Sequence, residues 1–269
     1  MIGFGTAALN ASSSKYSWAK LQEMFTKKQN GEAFLKMYYQ KMEELGTDPP
    51  EGINAWLKVQ TEFEEFDIQM MNFLLNKQFS VCLGTKSEEI LNNNYEHYLT
   101  LATDRQKKSL SRFKSATFSR SVGHARKSQD AELMKVVIER YKTGDYRSKS
   151  DDNLTVYTMD YYSYSKNHEA FKLLAEQYIN SLMNQKTLKE IKEEDSKYYQ
   201  LYSKNKEFGK DPFTDIMLQN YKEGRDANNI VKPIIETANH YFDFTQTRKE
   251  KRNLKKWIKY CYKLIPEKY

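Results

Sequence analysis

Apolar residues recur along nearly the whole chain at spacings of three and four, the period of a helix buried on one side. Trp18, Leu21 and Phe25 begin the pattern, and Leu35, Tyr38, Met42 and Leu45 continue it. Gly46 stops that second stretch, and Asp48-Pro49-Pro50-Glu51 supplies a cap, prolines for a first turn and an early acid. Phe63, Phe66, Met70, Phe73 and Leu74 form the next stripe. Leu91, Tyr95, Tyr98, Leu99 and Ala102 follow, with Thr85 and Glu88 spaced as a capping box ahead of them. Residues 103–130 are rich in Ser, Lys and Arg and less clearly striped, although Leu110, Phe113, Thr117 and Phe118 allow a helix. Met134, Val137, Ile138 and Tyr141 come next, ended by Gly144.

The clearest stripe is Phe171, Leu174, Ala175, Tyr178, Ile179 and Leu182. The charged stretch 188–208 carries Ile191, Tyr198 and Tyr202 on one side, and Asp211-Pro212 is another cap-plus-proline start. Val231, Ile234, Ile235, Ala238 and Phe242 form the penultimate stripe, with Pro233 expected near that helix's first turn, where proline is tolerated. In the last stretch Leu254, Trp257, Ile258, Cys261 and Leu264 are expected to pack inward on Val231–Phe242. Lys255, Lys256, Lys259 and Lys263 are expected to face water. This spacing predicts roughly ten to twelve helices, and no alternating run of strand length stands out.

Leu254, Ile258, Cys261 and Pro266 stand at the spacing of the second helix of a tetratricopeptide-type repeat. The expected fold is therefore all-α: a degenerate, tetratricopeptide-like α-α superhelix over residues 18–269, with a possible sub-division near 103–130. Residues 1–17 read either as a disordered start or as a secretory signal remnant without its basic region.

Composition supports helices over a many-turned β fold, because 10 Gly and 5 Pro in 269 residues are few. Apolar area leans on aromatics, with 20 Tyr and 14 Phe, and tyrosine suits the half-buried seams between helices. The formal charge of +7 is unevenly spread. Residues 105–127 hold eight Lys/Arg and no acid, and 248–269 hold nine Lys/Arg and two Glu, so the remainder is net acidic. No run of about 18 apolar residues crosses a membrane.

Chemistry is harder to find. Cys82 and Cys261 are too far apart for a CxxC motif or a zinc cluster. They read as buried free thiols, with a long-range disulfide as the other possibility. The histidines His97, His124, His168 and His240 form no ligand-spaced pair. Gly3-Phe4-Gly5 mimics a dinucleotide fingerprint but lacks the preceding strand. Asp151-Asp152 and Glu193-Glu194-Asp195 read as solvated helix starts and faces. No catalytic residue, cofactor site or metal site is therefore expected.

Two surfaces remain. Tyr157, Tyr161, Tyr162 and Tyr164 cannot all face one seam, so part of the cluster is a candidate groove wall for a protein partner. Arg112, Lys114 and Arg120, interleaved with Phe113 and Phe118, are a candidate anion surface.

The residues Trp18-x-x-Leu21-x-x-x-Phe25, Phe34-Leu35-x-x-Tyr38-x-x-x-Met42, Met159-Asp160-Tyr161-Tyr162-x-Tyr164, Ala170-Phe171 through Leu182, and Trp257-Ile258-Lys-Tyr-Cys261 carry a family likeness. This stretch resembles the helical region that follows the thioredoxin domain in a group of secreted bacterial thioredoxin-like proteins. The thioredoxin fold and its CxxC are absent, so the resemblance implies no redox activity. It implies a tetratricopeptide-like helical fold, a periplasmic or secreted setting (cytoplasmic being the alternative), and no site residues. The expected function is non-catalytic: an interaction or scaffold protein binding a peptide, protein segment or glycan on a concave surface. The alternatives are a nucleic-acid or anion-binding module using 105–127, or an enzyme whose site is unrecognised.

Overall fold

The helical spacing becomes thirteen α-helices in the computed structural model. It describes residues 17–27, 31–46, 50–144, 150–204 and 212–265, and among these no strand occurs. The protein is all-α, with slightly more helices than the ten to twelve expected. The N-terminal readings over 1–16, the cap residues Asp48, Pro49 and Asp211, and Pro266 lie outside the described residues.

The chain divides into two compact units, Met1–Arg147 and Ser148–Tyr269. Residues 103–130 fall inside the first. That unit holds α1 (Trp18–Thr26), α2 (Glu32–Glu44), α3 (Pro50–Leu57), α4 (Ile68–Asn76) and a 3-10 turn at Gln78–Ser80. It continues with α5 (Lys86–Leu101), α6 (Asp104–Ser128) and α7 (Ala131–Thr143). Its interior gathers Leu35, Trp56, Met70, Ile90, Tyr98 and Phe113. Beside α1, Tyr38 stacks on Phe25 with ring centroids 4.3 Å apart.

Local chemistry sets several boundaries. Gly46 takes the left-handed conformation (φ 66°) after α2 ends, a position that favours glycine. Thr85 caps α5 as its spacing predicts, accepting from the Glu88 N–H at 3.4 Å. The reciprocal half of that box does not form. The Glu88 carboxylate instead accepts from the Gly84 N–H at 2.6 Å and pairs with Arg140 at 3.2 Å. The weakly striped segment proves to be the longest helix, α6, opened by a full capping box of Thr103 and Gln106. Its buried face includes Thr117, Ser121 and Ala125, small or polar residues that hide the stripe from a hydrophobicity pattern. Thr117 and Ser121 can be buried because each hydroxyl donates to the carbonyl four residues back. Buried Asn54 ties α3 to α5 and to the 3-10 turn: it accepts from the Ser87 N–H at 2.8 Å and donates to the Ser80 carbonyl at 3.2 Å.

The second unit holds α8 (Asp151–Tyr164), α9 (His168–Asn184), α10 (Leu188–Ser203), α11 (Pro212–Lys222), α12 (Arg225–Asp243) and α13 (Arg248–Leu264). Helix α12 is central, packing against α9, α10, α11 and α13. Phe171, Ala175, Tyr178, Ile179 and Leu182 are all buried there, as their stripe predicts.

Asp195 on α10 accepts from the first-turn N–H groups of Asp226 and Ala227 on α12, at 2.7 and 3.0 Å. It supplies the anion that a helix N-terminus favours. Gly224 beside it has φ 85°, and an added Cβ would meet the Asp195 carboxylate at 3.0 Å. Pro233 departs from expectation. Helix α12 begins at Arg225, so the proline lies mid-helix and removes the bond to the Asn229 carbonyl. Asn229 is exposed, so water is available to that carbonyl.

Candidate functional site

The site begins at the start of α13. Thr247 and Glu250 form a capping box, with the Thr247 hydroxyl accepting from the Glu250 N–H at 3.2 Å. One Glu250 oxygen accepts from the N–H groups of Gln246 and Thr247, both at 2.7 Å. The other accepts from Lys172 of α9 at 2.8 Å, and Lys172 also meets Glu169 at 2.6 Å. Both members of the Lys172–Glu250 pair are buried. The Lys172 ammonium, with the two backbone donors, holds the Glu250 carboxyl down at about 2. The only carboxylate of α13 is thus turned inward and neutralised.

From that anchor Leu254, Trp257, Cys261 and Leu264 face the interior. The Tyr241 ring meets Trp257 edge-on at 5.0 Å, and its hydroxyl donates to Glu176 at 2.5 Å. Two residues expected inside are not there. Phe242 is 68% exposed and Ile258 is 51% exposed. Ile258 follows Trp257 by one position, so it projects about 100° away from the buried line. Phe242 stands likewise one position past buried Tyr241. Their faces border a groove of about 480 Å³ between α12 and α13. Ile235, Ala238 and Phe242 line one side, and Leu254, Ile258 and Cys261 the other. Lys251, Lys255 and Asn239 complete its rim.

The predicted anion surface does not converge. Arg112 and Lys114 are exposed, but two positions on a helix turn them about 200° apart. The Lys114 ammonium lies over the Tyr95 ring at 4.1 Å. Arg120 folds back on its own helix, donating to the Phe113 carbonyl at 2.7 Å and the Thr117 hydroxyl at 3.1 Å. Its guanidinium covers the Phe113 ring at 4.6 Å, and burial pulls its pKa down.

The tyrosines divide. Tyr162 packs against the core of the second unit. Tyr157, Tyr161 and Tyr164 recur at spacings of four and three on the opposite side of α8 from buried Met159. All four are half-buried, and the Tyr161 and Tyr162 rings lie 5.7 Å apart.

The remaining polar candidates are scattered over helix ends, surface ion pairs and ring contacts. Asp151 and Asp152 occupy the first turn of α8, capped by Ser150. Glu193 lies 3.6 Å from Lys189, Glu194 pairs with Lys186, and Asp195 caps α12. His168 stacks on Phe244 at 4.1 Å, and His124 hydrogen-bonds the Phe79 carbonyl at 2.9 Å. Among the described residues no cluster of three His, Cys, Asp or Glu side chains could hold a metal ion. Cys82 and Cys261 are free and buried, and burial raises their thiols to about 12 and about 11.

The groove was missed by sequence reasoning because Phe242 and Ile258 fit the helical stripes that reasoning followed. The spacing Thr247-x-x-Glu250 was a readable signal for the capping box that starts α13. Nothing in the sequence links Glu250 to Lys172, 78 positions away.

Fold and groove together define an all-α protein with an apolar cleft between its last two described helices. Comparison with protein-family models, curated proteins and solved structures found no match. No helix among the described residues is long and apolar enough to cross a membrane.

Proposed function

We propose that this chain is a non-catalytic helical interaction protein that holds a segment of a partner polypeptide in the groove between α12 and α13. The observation that carries this reading is the exposure of Phe242 and Ile258 on facing helices above an apolar floor. A contiguous apolar surface left in water favours association. Groove recognition works by seating the apolar side chains of a partner between such walls. The inward turn of Arg120 favours this surface over the basic segment of α6. The periplasmic or secreted setting belongs to the same reading and is supported by the resemblance to helical regions of secreted thioredoxin-like proteins.

The test is to place a photo-crosslinking residue at Ile258 and, as a control, at Lys263 on the solvent side of α13. Crosslinking in the native cell should give a discrete polypeptide adduct at Ile258, lost when Phe242→Asp is added. Equal adducts at both positions, or an adduct indifferent to Phe242→Asp, would remove the groove from the function.

A further inference from the structure

We propose, on the reading that the groove holds polypeptide, that its occupant is an acidic amphipathic α-helix. The walls decide the conformation. Helices α12 and α13 are joined by the four residues 244–247 and pack on each other, so the groove is the seam of an antiparallel helical hairpin. Along the groove, past the carbonyl that Pro233 frees at Asn229, their backbone groups are spent within the helices, and neither wall offers a free edge. An extended segment laid there would leave its own N–H and C=O groups unpaired against apolar side chains. A helix satisfies them internally. The apolar anchors fix the length. Ile235 to Phe242 and Leu254 to Cys261 each span seven positions, about 10 Å of helix axis. Two turns of a third helix, apolar at spacings of three and four, match that reach.

Charge decides the flank. Helix α13 carries Arg248, Lys249, Lys251, Arg252, Lys255, Lys256, Lys259 and Lys263. Its single acid is already consumed inside by Lys172. Lys251 and Lys255 stand on the groove rim itself, and neither has an ionic partner among the described residues. On the α12 side the rim offers neutral Asn239. The field over the groove is therefore positive on one wall, and a docked helix gains by turning Asp or Glu toward that wall. The occupant is acidic along one flank and tolerant along the other.

The experiment uses the full chain against a displayed library of helical peptides with a fixed apolar stripe and randomised flanking positions. Selection should enrich Asp and Glu on a single flank. Enriched peptides should bind wild type at least about tenfold more tightly than Lys251→Glu/Lys255→Glu, and weaken as salt rises from about 50 to about 500 mM. The Phe242→Asp/Ile258→Asp variant should bind none of them. All four substituted side chains are exposed, and circular dichroism checks that helicity is kept. Peptides that need Phe242 and Ile258 but show no acidic flank would overturn the acidic occupant while leaving the groove reading intact. No enrichment beyond that obtained on the Phe242→Asp/Ile258→Asp variant would overturn both. Binding of phosphatidylserine vesicles that Ile258→Asp abolishes, with no peptide enriched, would replace the helix by an anionic membrane surface.

Discussion

Glu250 shows how one residue ties local and long-range structure together. It completes the capping box of α13 and receives the ammonium of Lys172 from another helix. Removing it leaves two N-terminal amide groups without their acceptor and a buried lysine with only the exposed Glu169 as its counter-charge. Glu250→Ala should destabilise the second unit by about 3 kcal/mol, the scale for stripping one partner from a buried pair. The pH dependence has a definite sign. The carboxyl is lowered from 4.5 to about 2 by folding, so its contribution is complete above pH 4.5 and drains away as pH falls toward about 2. Denaturation of wild type and Glu250→Ala should therefore differ most at neutral pH and converge in strong acid. A gap that stays constant down to pH 2 would show that the ion pair contributes nothing.

At the scale of single helices, the stripes were legible wherever buried residues were large and apolar. Met134, Val137, Ile138 and Tyr141 are all buried on α7, and α9 buries every residue of the stripe read for it except the half-buried Leu174. The pattern failed for physical reasons elsewhere. Phe63 and Phe66 precede α4, which starts only after Asp67, and Phe66 is 53% exposed. Spacing alone does not distinguish an aromatic before a helix from one within it. On α6, hydroxyls satisfied by their own backbone fill core positions that a hydrophobicity scan scores as polar. The groove was the least legible feature, because exposure of an apolar residue depends on whether a neighbouring helix covers it. Tyr178 gives a clean check on the part that was legible. It lies in the core with Ile179 and Ala175, and Tyr178→Ala should cost about 3 kcal/mol, as emptying a large aromatic site does. A chemical denaturation midpoint equal to wild type would mean that α9 does not present this face to the core.

At the scale of the whole molecule, the all-α class was readable because helix-period spacing and recurrent caps leave no room for strand-period runs. The division at residues 147 and 148 was not readable, since helical spacing continues on both sides of it. The membership of the cores marks it. The buried cluster that includes Met159, Tyr178, Ile234, Trp257 and Ile265 draws only on residues after 148, and the one that includes Leu35, Trp56, Tyr98 and Phe113 only on residues before 147. A core that closes on its own residues is the physical requirement for a domain that folds alone. Residues 148–269 expressed by themselves should therefore be helical and should melt in one cooperative transition. Trp257 is 1% exposed, so its fluorescence should report the same midpoint as circular dichroism. The isolated unit should also retain the groove, because every residue lining it belongs to α12 or α13. Broad, non-coincident transitions in the isolated unit would show that the second core is not self-sufficient, and the groove would then be unfit to act as a binding surface without the rest of the chain.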